Sequence, residues 1–277
     1  MNGAMETLVA QAYGAREIRL CGTILNRARV INTVLLIPLV IICCFARPIL
    51  RGLGQDPLVV EEAYGYIIIC LPGVWLQGLF DLKKRFLNCM TISWIPMLAM
   101  IGATVLHVLW CFLFVSWMDM SVIGLGLATS LTYLLMLVMI TQYAQCVSRI
   151  SDALFCFERD VFSGWGEYFK LGVPAMVMIC AEDWAFQIMT FLAGIMGVKY
   201  QAAMVIISQV MAQVYMVQLG IQESTTALVG NQVGAMNINL AKRYFKVLFV
   251  ETFIIGILVA TLLFSMRELL IRLFTDD

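Results

Sequence analysis

Charged residues are scarce in this sequence. Lysine and arginine together number 18, as do aspartate and glutamate, so charged side chains make up 13% of the 277 residues. A soluble domain carries about 25%. The scarcity excludes an ordinary soluble domain, and the zero net charge gives no argument for a nucleic-acid partner. The chain is 62% hydrophobic with a mean hydropathy of +0.91. We therefore predict an integral, multi-pass membrane protein.

Side chains for soluble-type catalysis are also missing. The sequence has one histidine, His107, and contains no HExxH, no phosphate-binding loop and no Gly-x-Ser-x-Gly. Its nine cysteines form no CxxC pair and lie mostly within apolar runs, where they read as small apolar residues. We expect no enzymatic activity, no metal and no cofactor. A membrane-embedded enzyme stays open as an alternative, although it would need a nucleophile–base pair that the single histidine does not favour.

Long apolar runs fill most of the chain. A membrane-spanning helix needs about 20 mostly apolar residues. That length predicts helices at 30–50, 63–82, 92–117, 121–144, 168–198, 202–228 and 244–266. Residues 1–15 resemble the tail of a further helix. We expect an all-α transmembrane protein with an N-terminal half at 1–144, a cytoplasmic linker at 145–167 and part of a C-terminal half at 168–277.

The basic residues define an orientation for these helices. Cytoplasmic loops carry an excess of lysine and arginine. If the segment 16–29 is cytoplasmic, thirteen of the 18 basic residues fall on the cytoplasmic side. The five on the opposite side are Arg47, Arg51, Lys199, Arg267 and Arg272. The bias supports both the helix count and the choice of side.

The sequence repeats itself at a constant offset of 220. ETLVAQAYGAREIRL at 6–20 aligns with TALVGNQVGAMNINL at 226–240. The pairs that carry the alignment are Gln11 with Asn231, Gly14 with Gly234, Ala15 with Ala235, Leu53 with Leu273 and Asp56 with Asp276. Six predicted helices separate the copies, so both copies have the same orientation, as in transporters built from two parallel halves. A complete second copy would run beyond Asp277, so we expect a fragment of a longer protein.

An acidic pair interrupts the predicted helix 168–198. Glu182 and Asp183 lie near its middle, where a carboxylate costs several kcal/mol unless it faces a cavity, a partner or a proton source. Pro174 precedes them and can bend the helix and free a backbone carbonyl. Asp183 shares a face with Gln187 at helical spacing, Glu182 borders that face and Trp184 lies beyond it. A structural carboxylate bonded to a neighbouring helix is the alternative.

The next predicted helix, 202–228, is rich in polar side chains. Ser208, Tyr215, Gln218 and Gln222 recur close to one face. These groups either hydrogen-bond neighbouring helices or line a water-filled cavity opposite Glu182. Glu223 lies nearer the cytoplasmic end, where its carboxylate can reach water. His107 is expected to be a packed, hydrogen-bonded histidine rather than a proton relay.

A membrane carboxylate in a wet cavity suits exchange transport. A proton and an organic cation neutralise the same charge, so they exclude each other at one site. We therefore predict Glu182 and Asp183 as the cation-coupling or proton-coupling residues. Trp184, Gln187, Ser208, Tyr215, Gln218 and Gln222 are the predicted lining of a substrate cavity.

Four motifs resemble the multidrug and toxic compound extrusion (MATE) family. GAMETLVAQAYGA at 3–15 is similar to the end of that family's second helix, and GQDP at 54–57 matches its loop after the third helix. PAMVMICAEDW at 174–184 resembles the seventh-helix motif of eukaryotic members. GNQVGA at 230–235 resembles the end of their eighth helix. The resemblance extends over essentially the whole chain.

The resemblance implies a fold of two six-helix lobes, truncated here at both ends, and an antiporter that expels organic cations or metabolites in exchange for protons or sodium. It also implies that Glu182 stands at the coupling position of eukaryotic members. Three positions depart from the family pattern: Gln187 replaces a second glutamate, Leu228 an arginine and Gln218 a proline. These departures bear on the substrate range and on full activity.

The expected partners follow from this interpretation. They are the lipid bilayer, a small organic cation or metabolite, and a proton or sodium ion; we expect a monomer. A lipid-linked oligosaccharide flippase is the alternative within transport, although it would favour a cavity rich in basic residues. A non-functional transporter fragment is a further alternative.

Overall fold

The computed structural model describes residues 2–52, 54, 56–155 and 159–266. Within this part of the chain all regular structure is helical. The α-helices are α1 (Asn2–Gly14), α2 (Ile18–Cys44), α3 (Ala46–Gly52), α4 (Pro57–Cys89), α5 (Trp94–Cys111), α6 (Ser121–Gln145), α7 (Trp165–Met196), α8 (Val198–Gly234) and α9 (Ile238–Ser265). A π-helical segment, Phe112–Trp117, continues α5, and two 3-10 turns, Ser148–Ala153 and Arg159–Phe162, precede α7.

Seven helical segments of the described chain are long and apolar enough to cross a membrane. They correspond one to one with the seven predicted spans, which confirms a multi-pass membrane protein. Several helices extend well beyond the predicted bounds. For example, α2 begins at Ile18, whereas the prediction began at residue 30. The first turns of α2 carry Arg19 and Arg27, and a hydropathy window does not detect a helix that continues out of the hydrocarbon.

Local sequence signals define several helix ends. Asp56 caps α4 by accepting a hydrogen bond from the Leu58 amide at 2.8 Å, and Pro57 occupies the first helical position, where its missing N–H costs nothing. Asn237 likewise caps α9, accepting from the Leu240 amide at 3.4 Å. Gly197 has φ of +132° and separates α7 from α8, a conformation open to glycine.

The chain repeat is visible in the backbone. Arg16 follows α1 with φ of 63° and Met236 follows α8 with φ of 59°, 220 positions later. The amide of Glu17 donates to the Ala12 carbonyl at 2.9 Å, and the amide of Asn237 donates to the Gln232 carbonyl at the same distance. The repeat is therefore present in the helix-to-helix turns. Two aligned positions near the chain end, Leu273 and Asp276, lie outside the described residues, and so does Leu53, which aligns with Leu273. Two of the basic residues assigned to the side opposite the cytoplasm, Arg267 and Arg272, also lie outside them.

The hydrophobic core is concentrated at one end of the bundle. Met5 and Val9 of α1, Leu25 of α2 and Phe86 of α4 are fully or almost fully buried there. Tyr168, in the first turn of α7, joins the same cluster at 1% exposure. Most of the remaining surface of α7, α8 and α9 is exposed and apolar, as expected for lipid-facing helices. The packing of Tyr168 ties the start of α7 to the helices of the first half.

The predicted linker at 145–167 packs along α2. The Asn26 side-chain amide donates to the Phe155 carbonyl at 3.2 Å, and the Arg27 guanidinium donates to the Asp160 carbonyl at 3.4 Å. Gly22 lets the segment approach closely, since a Cβ there would lie 2.4 Å from the Ala153 carbonyl oxygen. The division of the chain into two halves around this linker stays a prediction.

Candidate functional site

Glu182 lies midway along α7 and its side chain is exposed. Among the described residues its carboxylate has no hydrogen-bond or ion-pair partner. Tyr168 and Gly172 are buried where α7 packs into the first half, and Ala175 is half-buried on the same face. Glu182 continues this face at helical spacing, since residues 7 and 14 positions apart are nearly aligned. Glu182 therefore lies on the face of α7 that packs, nearer the helix start, against the first half of the chain.

Asp183 is also exposed, but it lies on a different face of α7. Thr190 and Gly194, 7 and 11 positions later, are half-buried, and a Cβ on Gly194 would lie 3.3 Å from the Gln201 side chain of α8. This face of α7 is therefore directed towards α8. The two neighbouring carboxylates are presented to different surroundings.

The remaining predicted site residues lie on the α7–α8 pair. Trp184 is 67% exposed, and Gln187, Gln218 and Gln222 are exposed as well. Ser208 and Tyr215 are half-buried. The Ser208 hydroxyl donates to the Met204 carbonyl of its own helix at 2.8 Å. The structure thus places α7 beside α8 without enclosing these side chains among the described residues, and the cavity assignment stays a prediction.

The grooves that the structure describes lie elsewhere. Five of them are lined by residues of α1, α2, α4, α6, α8 and α9 and by the segments that join them, and none of the five includes a residue of α7. Within the described chain no group of three or more His, Cys, Asp or Glu side chains is arranged to hold a metal ion.

One membrane carboxylate was missed at the sequence level. Glu251 lies within α9, about 20 Å from the helix start at 1.5 Å per residue, and Glu182 lies about 25 Å from the start of α7. Glu251 is exposed, and its helix packs mainly against α8. The sequence contained the signal that could have identified Glu251, namely an acidic residue inside a long apolar run.

The ends of α1 and α8 meet in a close, reciprocal contact. A Cβ on Gly14 would lie 2.0 Å from the Asn231 carbonyl oxygen, and a Cβ on Gly234 would lie 2.0 Å from the Gln11 carbonyl oxygen. A Cβ on Gly230 would lie 2.6 Å from the Ala10 Cβ. Asn231 is 8% exposed, and its side-chain amide donates to the Cys89 carbonyl at 3.1 Å. The two repeat copies therefore pack against each other about an approximate two-fold axis.

A charge network joins α1, α4 and α8 near this contact. The Arg85 guanidinium lies 2.7 Å from the carboxylates of Glu6 and Asp81 and 3.8 Å from that of Glu223. Lys84 lies 3.4 Å from Asp81 and 3.2 Å from Glu223. Glu6 is 5% exposed. Three carboxylates thus share two cations across the junction between the two repeat copies.

This network corrects the interpretation of Glu223. Its carboxylate does not simply extend into water, because the Asn88 side-chain amide donates to it at 2.9 Å and Lys84 and Arg85 lie beside it. The sequence does not predict this network, because it shows Lys84 and Arg85 only as basic residues at the cytoplasmic end of their helix. Pairing across 79 or 135 positions is not visible in a single sequence.

His107 is packed and hydrogen-bonded, as predicted. Its Nδ1 lies 2.9 Å from the Thr132 hydroxyl oxygen of α6, and its Nε2 lies 3.4 Å from the Cys111 sulfur. The Thr132 hydroxyl donates to the Ala128 carbonyl at 2.7 Å, so it accepts from an Nδ1–H. A neutral ring with that tautomer, inferred from its partners, satisfies each of these groups.

Known proteins resemble the chain along its whole length. A family model described as MatE matches residues 1–113 and 174–277. Multidrug and toxin extrusion protein 1 of Oryctolagus cuniculus is 28% identical over 278 residues, covering 100% of this chain and 49% of that protein. Protein DETOXIFICATION 17 of Arabidopsis thaliana is 28% identical over 277 residues, covering 99% of this chain and 58% of its own length.

The fold has a close structural counterpart. The crystal structure of the eukaryotic MATE transporter AtDTX14 superposes with a TM-score of 0.91 at 24% identity, covering 100% of this chain and 62% of that chain. An outward-facing multidrug resistance MATE transporter of the MOP superfamily superposes at 0.81 with 17% identity. The chain spans about half the length of the first curated relatives that it matches.

Proposed function

The chain belongs to the MatE family, and from that premise we propose that it serves in a secondary antiporter that exports organic cations, xenobiotics or metabolites in exchange for protons or sodium. The family match supports a transporter role in a membrane. The coupling ion, the substrate class and a monomeric state are parts of the proposal.

One observation carries the proposal. Glu182 lies in the middle of a helix apolar enough to span the membrane, and no cation of the described chain neutralises it. A carboxylate at that depth is costly unless it takes up a charge from elsewhere. A proton or an organic cation supplies that charge, and each excludes the other. This competition is the chemical requirement for antiport.

Neighbouring side chains suit a flat organic cation. The indole of Trp184 and the phenol of Tyr215 offer aromatic faces, which attract cations within about 6 Å of the ring centre. Gln187, Gln218 and Gln222 offer amides that hydrogen-bond polar groups without adding charge. We propose that these residues line the substrate path between α7 and α8, with Asp183 as the acidic group on that face of α7 and Glu182 on the adjacent face, towards the first half.

The contact between α1 and α8 suits the conformational change that the proposed antiport requires. Alternating access in two-fold repeat transporters proceeds by rocking of one half against the other. The glycine contacts and the Arg85 network join the two repeat copies at the end that the basic residues assign to the cytoplasm. We propose that this junction holds the cytoplasmic side closed while Glu182 is accessible from the opposite side.

Efflux from proteoliposomes tests the proposal. The full chain is reconstituted with ethidium inside, and release is followed after a pH or sodium gradient is imposed. We expect Glu182→Gln to abolish gradient-driven release. Glu251→Gln, at similar depth on α9, is the matched control and should retain it. Asp183→Asn separates the roles of the two adjacent acids.

Two results would overturn the proposal at different levels. Unchanged gradient-driven release by Glu182→Gln would rule out Glu182 as the coupling residue. If the wild-type chain released no cation under either gradient, the proposed transport activity would be wrong for this chain.

A further inference from the structure

A basic groove lies in the first half of the chain, and no residue of α7 lines it. It is bounded by α2, α4 and α6, holds Arg29 and Lys83, and has a volume of about 540 Å³. Thr33, Trp75 and Leu79 form much of its remaining wall. The groove is therefore cationic at one end and largely apolar along its length.

The two cations of the groove lack a counter-charge. Lys83 is only 6% exposed, and its ammonium donates to the Thr141 hydroxyl at 2.7 Å. Arg29 is half-buried and donates to the Asn26 side-chain oxygen at 2.8 Å. Among the described residues neither has a carboxylate within 4.0 Å. Removing charges from water without a partner costs several kcal/mol, so this pair calls for an anion from outside the described chain.

The apolar part of the groove extends along α2. A second groove of about 330 Å³ shares Thr33 and Trp75 with the first and continues past Ile37 to Ile41. From Arg29 to Ile41 the helix rises about 18 Å at 1.5 Å per residue. Half of a hydrocarbon core of about 30 Å is about 15 Å. The combined groove thus has the length of one membrane leaflet.

The position of the basic end matches an anionic lipid surface. The distribution of lysine and arginine assigns this end of α2 and α4 to the cytoplasmic side. Anionic phospholipids are enriched in the cytoplasmic leaflet. The Trp75 indole N–H donates to the Thr33 hydroxyl at 3.2 Å where the two grooves join, so its polar edge is turned to α2 and leaves the groove wall apolar.

We propose that Arg29 and Lys83 bind the phosphate of an anionic phospholipid of the cytoplasmic leaflet, and that one of its acyl chains lies along α2 past Trp75. The site is independent of Glu182 and of the coupling ion. It ties the lipid composition of the membrane to the packing of α2, α4 and α6. The single negative charge of a bound lipid phosphate is shared by the two cations and offsets part of their charge, so the protein should be more stable in anionic than in zwitterionic lipid.

Lipid-dependent stability and binding test the proposal. The full chain is purified in detergent, and dioleoyl-phosphatidylglycerol, dioleoyl-phosphatidylcholine or inorganic phosphate is added. Binding is measured by native mass spectrometry and by the shift in melting temperature. We expect phosphatidylglycerol to bind roughly tenfold or more tightly than phosphatidylcholine, as charge-assisted hydrogen bonds require. Inorganic phosphate, which lacks an acyl chain, should bind weakly.

The variants locate the site. Arg29→Met with Lys83→Met should remove the preference for phosphatidylglycerol, whereas Lys242→Met with Lys246→Met, two exposed cations of α9, should retain it. If the first double variant does not fold, Lys83→Gln keeps a partner for the Thr141 hydroxyl and should weaken the preference. Ile37→Trp, which fills the apolar extension, should weaken lipid binding without removing a charge.

Three results would overturn the proposal. The first is a wild-type chain with no preference for phosphatidylglycerol, as expected if a protein segment covers the groove. The second is a preference that survives in the Arg29 and Lys83 variants. The third is an equal stabilisation by inorganic phosphate, which would indicate a free anion rather than a lipid.

Discussion

Gly14 of α1 and Asn231 of α8 are so close that a Cβ on the glycine would lie 2.0 Å from the asparagine carbonyl oxygen. The relationship is reciprocal, because a Cβ on Gly234 would likewise lie 2.0 Å from the Gln11 carbonyl oxygen. Adding the 220-residue offset of the repeat to Gly14 and Gln11 gives Gly234 and Asn231, so the repeat relates one contact to the other. Each glycine is therefore required by the approach of two backbones and not by a turn.

Substituting these glycines should weaken the junction. Gly14→Ala and Gly234→Ala each force backbone atoms apart, and overpacking of this kind costs about 1–3 kcal/mol. We expect a lower melting temperature for both variants of the detergent-purified chain. Gly220→Ala, on α8 where nothing lies within 4 Å of the added methyl group, is the control and should not lower it. Equal behaviour of all three variants would contradict the contact.

Arg85 should be the most sensitive residue of the charge network. Arg85→Ala leaves the buried Glu6 carboxylate without its nearest cation, and breaking a buried pair in this way costs about 3–5 kcal/mol. We expect a large fall in melting temperature. The effect of Lys84→Ala should be smaller, because Arg85 still neutralises Asp81 at 2.7 Å.

A double-mutant cycle separates the pair from its surroundings. Glu6→Gln removes the charge that Arg85 neutralises, so the double variant should lose less stability than the sum of the two single variants. Additive losses would show that Glu6 and Arg85 do not act together.

The sequence was sufficient to predict the helices and their repeat. Apolar runs marked all seven spans, because a helix that crosses the hydrocarbon core needs about 20 residues with few charged side chains. Helix ends were less accurate, since α2 and α8 continue as helices through polar stretches that no longer contact lipid. Gln11 and Asn231 aligned correctly, yet nothing in the alignment showed that each one's carbonyl faces the glycine of the other copy.

The site was predicted only in part. The positions of Glu182 and Asp183 on α7 follow from counting residues, but their different faces depend on which side of α7 packs against the first half. Glu223 illustrates the limit. The position of Glu223 near the cytoplasmic end of its helix can be predicted from the sequence. Its partners Lys84 and Asn88 lie on another helix, and a single sequence does not show that the two helices are in contact.

Pro174 should couple the shape of α7 to transport. The residue lies inside the helix eight positions before Glu182, and proline removes a backbone hydrogen bond there. Pro174→Ala restores that bond, and alanine is favoured over proline by up to about 3 kcal/mol in a helix interior. We expect a higher melting temperature together with slower ethidium release. Pro38→Ala on α2 is the matched control, and it should change stability without changing release. Equal release by wild type and Pro174→Ala would exclude a role for Pro174 in transport.

His107 offers a test of structural against proton-carrying roles. Its Nδ1 and Nε2 already have partners in Thr132 and Cys111, and a neutral ring satisfies both. His107→Gln keeps one of these hydrogen bonds, so we expect a loss of about 1 kcal/mol in stability and an unchanged pH dependence of ethidium release. Thr132→Val removes the partner instead and should cause a similar loss, because the Nδ1–H of the half-buried ring then loses its acceptor. If His107→Gln abolished gradient-driven release while its melting temperature stayed normal, the histidine would be part of the proton path and Glu182 would not be sufficient for coupling.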